Sequence, residues 1–334
     1  MAATAVLTGC ASGATHPESP ATTAPPAPAA EFWSAVPQSD EQRDDVAAQV
    51  RQVEVCAVIP RAELARAGEP RSVRNDQPYS CTAELGPEGY GLGTTVGWSS
   101  MISPDPTLPD YGTVGQLGDV RVWQVRPDDI RGADEPAVAS DSPARSCSAT
   151  ARFPSGAALY LDAEVPEGQD ACVVVDALVP GMVERWRAAP RRGSSPDVAE
   201  TALPGADPCA VGDLLPGARR EGAAQVNACA LRYREQTVLV RYEFRMRDTV
   251  AAGGIEREIA GRTVHRLAAG SDGSYAAVIG PELRPAAASD SFGPDVPVVS
   301  VDADTDEVAN AVMAAALSMF PRPQIPNTSL AVVK

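Results

Sequence analysis

The chain is built twice from one design, and that internal repeat restricts its fold more than any other feature. Glu54-Val55-Cys56-Ala57-Val58 is echoed by Asp207-Pro208-Cys209-Ala210-Val211, and Cys81-Thr82-Ala83-Glu84-Leu85 by Cys229-Ala230-Leu231-Arg232-Tyr233. Each second cysteine leads into an alternating segment. In the first, Tyr90, Leu92, Thr94, Val96 and Trp98 share a face. In the second, Val238, Val240, Tyr242, Phe244 and Met246 share one, with Arg241, Glu243, Arg245 and Arg247 opposite. Period-two alternation marks a half-buried strand. Further strands follow in matching order: Val120–Val125 with Thr263–Leu267, Cys147–Phe153 with Ser274–Ile279, and Ala158–Val165 with Val298–Ala303.

Each half then closes on a helical apolar stripe. Val175, Leu178, Val179, Met182, Val183 and Trp186 form the first; Val308, Ala311, Val312, Ala315, Ala316 and Met319 form the second. Both follow the spacing of one buried helical face. Pro180 and Gly181 lie inside the first stripe and predict a kink or an early fray. Ser39-Asp40-Glu41-Gln42 is positioned to cap a helix carrying Val46, Val50 and Val53, and Pro60 and Gly68 bracket a helical turn at Arg61–Ala67. The pattern predicts an α+β fold of two related modules, each an antiparallel sheet flanked by an N-terminal and a C-terminal helix. The first module is placed at residues 33–187, a linker at 188–206, the second module at 207–321 and a tail at 322–334.

The 334 residues suffice for about two domains. Acidic residues number 44 against 28 Lys and Arg, a net charge of −16, which speaks against a nucleic-acid partner. Of the seven cysteines, Cys10 stands apart and six remain. They form pairs separated by 25, 25 and 20 residues: Cys56 and Cys81, Cys147 and Cys172, Cys209 and Cys229. Six cysteines allow fifteen connectivities; the repeat selects neighbour pairing. Each such loop contributes about 3 kcal/mol through the unfolded state. At the offset of the closing helices Cys172 falls opposite Thr305, so the second module lacks the later bridge. With no C-x-x-C and two histidines, a metal set is the weaker reading of these cysteines.

Leu7-Thr8-Gly9-Cys10 resembles the bacterial lipobox, in which the cysteine is acylated and becomes the mature N-terminus. Nine uncharged residues precede Cys10, where a signal peptide carries a basic region and a longer apolar stretch. Residues 1–10 are therefore read as the remnant of a signal peptide whose coding start lies upstream. Residues 11–32, rich in Thr, Pro and Ala, make a disordered tether, and His16 falls within it. With Asp207-Pro208-Cys209-Ala210-Val211-Gly212-Asp213-Leu214-Leu215, Cys229, and Asp170-Ala171-Cys172 following Cys147, the chain resembles actinobacterial cell-envelope lipoproteins. More narrowly, it is similar to the mycobacterial and nocardial group built on a lipoprotein domain of unknown function, here read as duplicated. The resemblance implies a disulfide-bonded α+β protein, lipid-anchored through Cys10 on the extracytoplasmic face of the cell membrane. It carries over no catalytic residues.

Chemistry is sparse in the remaining residues. Serine nucleophiles need a base and an orienting group. There is no G-x-S-x-G, and His265 aligns with Trp123 of the other half, which has no acid–base use. Asp302-Ala303-Asp304-Thr305-Asp306-Glu307 resembles the start of a calcium loop, but the sixth and twelfth positions hold Glu307 and Met313 instead of glycine and glutamate. A strand end followed by a helix cap accounts for it better. Gly89, Gly91, Gly93 and Gly97 run into a strand, which suits a bulge or close approach more than a phosphate loop. Asn327-Thr328-Ser329, a sequon in form, is read as tail. No catalytic residue, metal site or cofactor is assigned. The expected activity is non-enzymatic binding, of a partner protein in a cleft between modules or of an apolar ligand between sheet and helices. The rival reading is a secreted hydrolase of cell-wall glycan or ester working with carboxylates alone.

Overall fold

A computed structural model describes residues 29–321 apart from 90, 104–110, 131–143, 199, 224, 253, 268–272 and 284–293. Cys10, His16 and the Asn327 sequon lie outside the described residues. The first module begins with α1 (Asp40–Gln52) and the short α2 (Arg61–Leu64). Seven strands follow: β1 (Pro70–Gln77), β2 (Ser80–Leu85), β3 (Thr94–Ile102), β4 (Thr113–Leu117), β5 (Val120–Val125), β6 (Ser146–Arg152) and β7 (Ala157–Glu164). Helix α3 (Ala171–Arg187) closes the module. The second contains β8 (Arg219–Arg220), β9 (Ala228–Tyr233), β10 (Gln236–Met246), α4 (Arg247–Ala251), β11 (Ile255–Ile259), β12 (Arg262–Arg266), β13 (Gly273–Val278), β14 (Asp295–Ala303) and α5 (Asp306–Ser318).

Both sheets are antiparallel and share one topology. The strand order is β1-β2-β3-β7-β6-β5-β4 in the first; read from its other edge, the second runs β8-β9-β10-β14-β13-β12-β11. Matching the two register maps places Cys81 with Cys229, Trp98 with Val240, Leu161 with Val301, Ala149 with Tyr275, and Trp123 with His265. The same map sets Gly273 where the first module has Cys147. A Cβ at Gly273 would stand 2.6 Å from the Ala303 carbonyl oxygen, so the second module has no room there for the later bridge. The three expected cysteine pairs stand at disulfide distance, with Cα separations of 5.5 Å for Cys56–Cys81 and 5.1 Å for both Cys147–Cys172 and Cys209–Cys229.

The inner faces bury what the alternation assigns to them. Val96, Trp98, Leu159 and Leu161 meet Val175, Leu178, Met182 and Trp186 of α3, and Val238, Val240, Val299 and Val301 meet Val308, Val312 and Ala316 of α5. Ser39 caps α1 by accepting from Gln42 N at 3.2 Å, and Val46, Val50 and Val53 are buried. Three expectations change. The second module has no leading α-helix among the described residues; a 3-10 turn, Pro208–Leu214, stands before its sheet. Pro190, Pro196 and Pro204, with Gly193 and Gly205, remove the donors and φ values a helix needs, and no apolar stripe offsets them. Helix α3 does not fray at Pro180 but runs on to Arg187, because the stripe on either side of the proline is buried and holds the helix together. Strand β3 begins at Thr94, with Leu92 in the turn that Gly91 and Gly93 allow before it, while Tyr90 lies outside the described residues.

Candidate functional site

The two modules are bolted together along a polar seam. Helix α1 uses one face for the core and shows a second, Asp40, Asp44, Ala47 and Arg51, to the second module; this i, i+4, i+7, i+11 spacing keeps them in line. Arg51 is 4% exposed and reaches Asp207 Oδ2 at 2.8 Å. The other oxygen of Asp207 accepts from Cys209 N at 2.9 Å, which caps the 3-10 turn, and the Cys209–Cys229 bridge pins that turn to β9. Asp44 pairs with Arg220 across the same seam. Below these contacts the Tyr79 hydroxyl accepts from Gly205 N at 2.9 Å, and burial pushes the phenol up to about 12. Burial likewise raises Tyr242. Both phenols are neutral at any physiological pH.

The seam also borrows a side chain as backbone. Strand β9 ends beside Tyr242, whose N–H donates to Asn227 O at 2.8 Å, leaving the next rung of β10 without a strand partner on that side. Gln77, the last residue of β1 in the other module, fills it. Its Nε2 donates to Phe244 O at 3.0 Å, and its Oε1 accepts from Phe244 N at 3.1 Å. An amide side chain carries the same donor and acceptor as a peptide group, which is why it can extend a ladder.

Above the bolts the seam opens into a cavity of about 620 Å³, lined by the α1 face, the 3-10 turn and β8. Its charges are mixed: Asp40, Asp44, Asp207 and Asp213 against Arg51, Arg219 and Arg220. Two of the acids are tied to arginines across the seam, and the Arg43 hydrogen bond and charge hold the Asp40 carboxyl below its usual range. Arg219 and Asp213 have no ion-pair partner among the described residues and face the opening.

The residues weighed for chemistry stand elsewhere. His265 lies on β12 between Glu256 and Ala276, and its Nδ1 is buried without a hydrogen-bond partner, so it lacks the orienting acceptor of a general base. Three of the four acids in the 302–307 run are engaged by arginine: Asp302 by Arg241 at 2.6 Å, Asp306 by Arg257 and Arg266 at 3.3 Å, Glu307 by Arg234 at 2.6 Å. Among the described residues no group of three or more His, Cys, Asp or Glu converges as a metal set. Gly93 serves a close approach: a Cβ there would meet the Leu85 carbonyl oxygen at 2.6 Å. The two carboxyls that burial raises, Glu54 and Asp162, are apart from the cavity. Glu54 is 5% exposed and accepts from Gly193 N at 3.0 Å, and Asp162 packs over Gly97 with Asp76 and Glu164 near.

Helix α1 was legible from its Ser39 cap and its Val46, Val50 and Val53 stripe, but nothing local in the sequence says that its Asp40, Asp44 and Arg51 face meets a second module. Gln77 carries no sequence signal. No family model, curated protein or solved structure matches this chain.

Proposed function

We propose that this chain is a lipid-anchored protein of the cell envelope, similar to the actinobacterial lipoproteins it resembles, and that its folded body works by binding a partner in the seam cavity. Acylation at Cys10 and the tether of residues 11–32 hold the body at the membrane; two or more acyl chains are what stable anchoring takes. The observation that carries the binding reading is the cavity itself. Its walls are fixed by the Arg51–Asp207 pair, the Asp44–Arg220 pair and the Cys209–Cys229 bridge, while Arg219 and Asp213 are left to meet a ligand of mixed charge. Carboxylate hydrolysis needs an acid kept protonated near neutrality beside an ionised one. In this cavity the Arg43 hydrogen bond and charge move the Asp40 carboxyl the opposite way.

The reading is tested in cells with a photo-cross-linking residue at Arg219 or at Glu167, on the opposite module. Binding in the seam predicts a discrete adduct from position 219 that the charge reversal Asp213→Arg removes, with none from position 167. Equal labelling from both positions contradicts it. Cys10→Ala should move the protein from the detergent phase to the aqueous phase; unchanged partitioning contradicts the anchor.

A further inference from the structure

The duplicated fold supplies its own control for one more site. The register places Gly115 of β4 where the second module has Arg257 of β11, and Ala149 of β6 where it has Tyr275 of β13. In the second module these two side chains fill the wedge between edge strand, sheet and closing helix. The Arg257 guanidinium lies over the Tyr275 ring at 5.9 Å, donates to its hydroxyl at 3.0 Å and meets Asp306 of α5 at 3.3 Å. With glycine and alanine at the matching places, the first module has a groove of about 250 Å³ instead, floored by Val122, Ala149, Val175 and Val179. That is room for about eight water volumes, or one long side chain.

The mouth of the groove is charged and unbalanced. Asp306 is met by the sheet through Arg266; the matching sheet position is Gln124, which offers only a neutral amide, at 3.0 Å, to Asp176, one helical turn beyond the position of α3 that corresponds to Asp306. Asp176 has no cationic partner among the described residues. The rim is the sheet edge β4, which no other strand pairs among the described residues. β11 protects its edge with Glu256, Arg257 and Glu258, whereas β4 reads Thr-Val-Gly-Gln-Leu, with no charge and no proline. Uncharged edges are the ones that accept another strand.

We propose that β4 binds an extended cationic peptide by strand addition, with an arginine side chain lying in the groove and its guanidinium on Asp176. The bound arginine would take the place that Arg257 holds in the sister module. The inference rests on neither the lipid anchor nor the seam cavity.

The probe is a short, blocked, fluorescent peptide of alternating threonine and valine with one central arginine, titrated into the full chain alongside versions with central leucine or glutamate. The arginine peptide should bind most tightly at low salt, by about three- to fivefold over leucine, the scale of one exposed charge pair. Asp176→Asn should abolish that preference. Gly115→Arg should block binding by closing the groove from within; a Cβ at Gly115 meets only the Val122 carbonyl oxygen at 4.0 Å, so the fold tolerates it. Ala149→Tyr provides a second closure. Absence of binding, equal affinity for the glutamate peptide, or full binding by Gly115→Arg overturns the proposal. A preference for leucine would make the groove an apolar-ligand site, and a dimer that Gly115→Arg dissolves would make the edge an interface between copies; either result also overturns it.

Discussion

Gln77→Leu tests whether the modules behave as one body. The substitution keeps most of the side-chain volume and removes both hydrogen bonds to Phe244, a residue 3% exposed. An unpaired donor or acceptor at a buried site costs about 1–3 kcal/mol. Gln77 itself is half-buried, so water relieves part of that, and the expected loss for the two groups is about 2–4 kcal/mol. Gln77→Glu is the graded control: a carboxylate accepts from Phe244 N but cannot donate to its carbonyl, so it should lose less than Leu. The assay is urea unfolding with two probes. All four tryptophans, Trp33, Trp98, Trp123 and Trp186, belong to the first module, so their fluorescence reports it alone. Amide exchange at β10 and β14 reports the second. In the natural chain the two transitions should coincide; Gln77→Leu should lower the midpoint and draw them apart. Coincident transitions at an unchanged midpoint would show that the borrowed rung contributes nothing and refute the reasoning.

Other outcomes follow from particular strains. The β9–β10 turn places Arg234 at φ 49° and Glu235 at φ 63°, left-handed values that favour Asn-Gly. Replacing the pair by Asn-Gly should stabilise the fold by about 1 kcal/mol and raise Tm by ~2–4 °C, despite losing the exposed Arg234–Glu307 pair; a lower Tm contradicts the strain argument. Burial raises Glu54 above the usual glutamate value of 4.5, so the folded state holds its proton more tightly than the unfolded state. Between the two values stability therefore falls as pH rises, and Glu54→Gln should be the more stable form at pH 7. That advantage should vanish on acidification below 4.5, where both forms are neutral in both states; an advantage independent of pH would assign it to packing.

The central layers were written plainly in the residues, the edges and seams were not. Strands β2, β10 and β6, and the stripes of α3 and α5, each meet a covered face, so burial imposes a period that can be counted. β1, Pro-Arg-Ser-Val-Arg-Asn-Asp-Gln, buries only Val73 and Asn75, and β4 has one neighbour and no buried position; neither shows a pattern. The disulfide pairs emerged because the repeat reduced fifteen connectivities to one. The early fray expected at Pro180 does not occur, since a stripe buried along the whole helix outweighs the local effect of the proline. The seam was beyond local reading for a different reason. Arg51 and Asp207, or Gln77 and Phe244, are joined only by the docking of two modules, and their meaning lies in that geometry.

Intact mass spectrometry of the native protein, taken from membranes without reductant, tests the account most directly. A chain that begins at Cys10, carries acyl groups there, and gains the mass of six hydrogens on reduction, two for each bridge, is the predicted result. An unacylated chain with its thiols already free would contradict it.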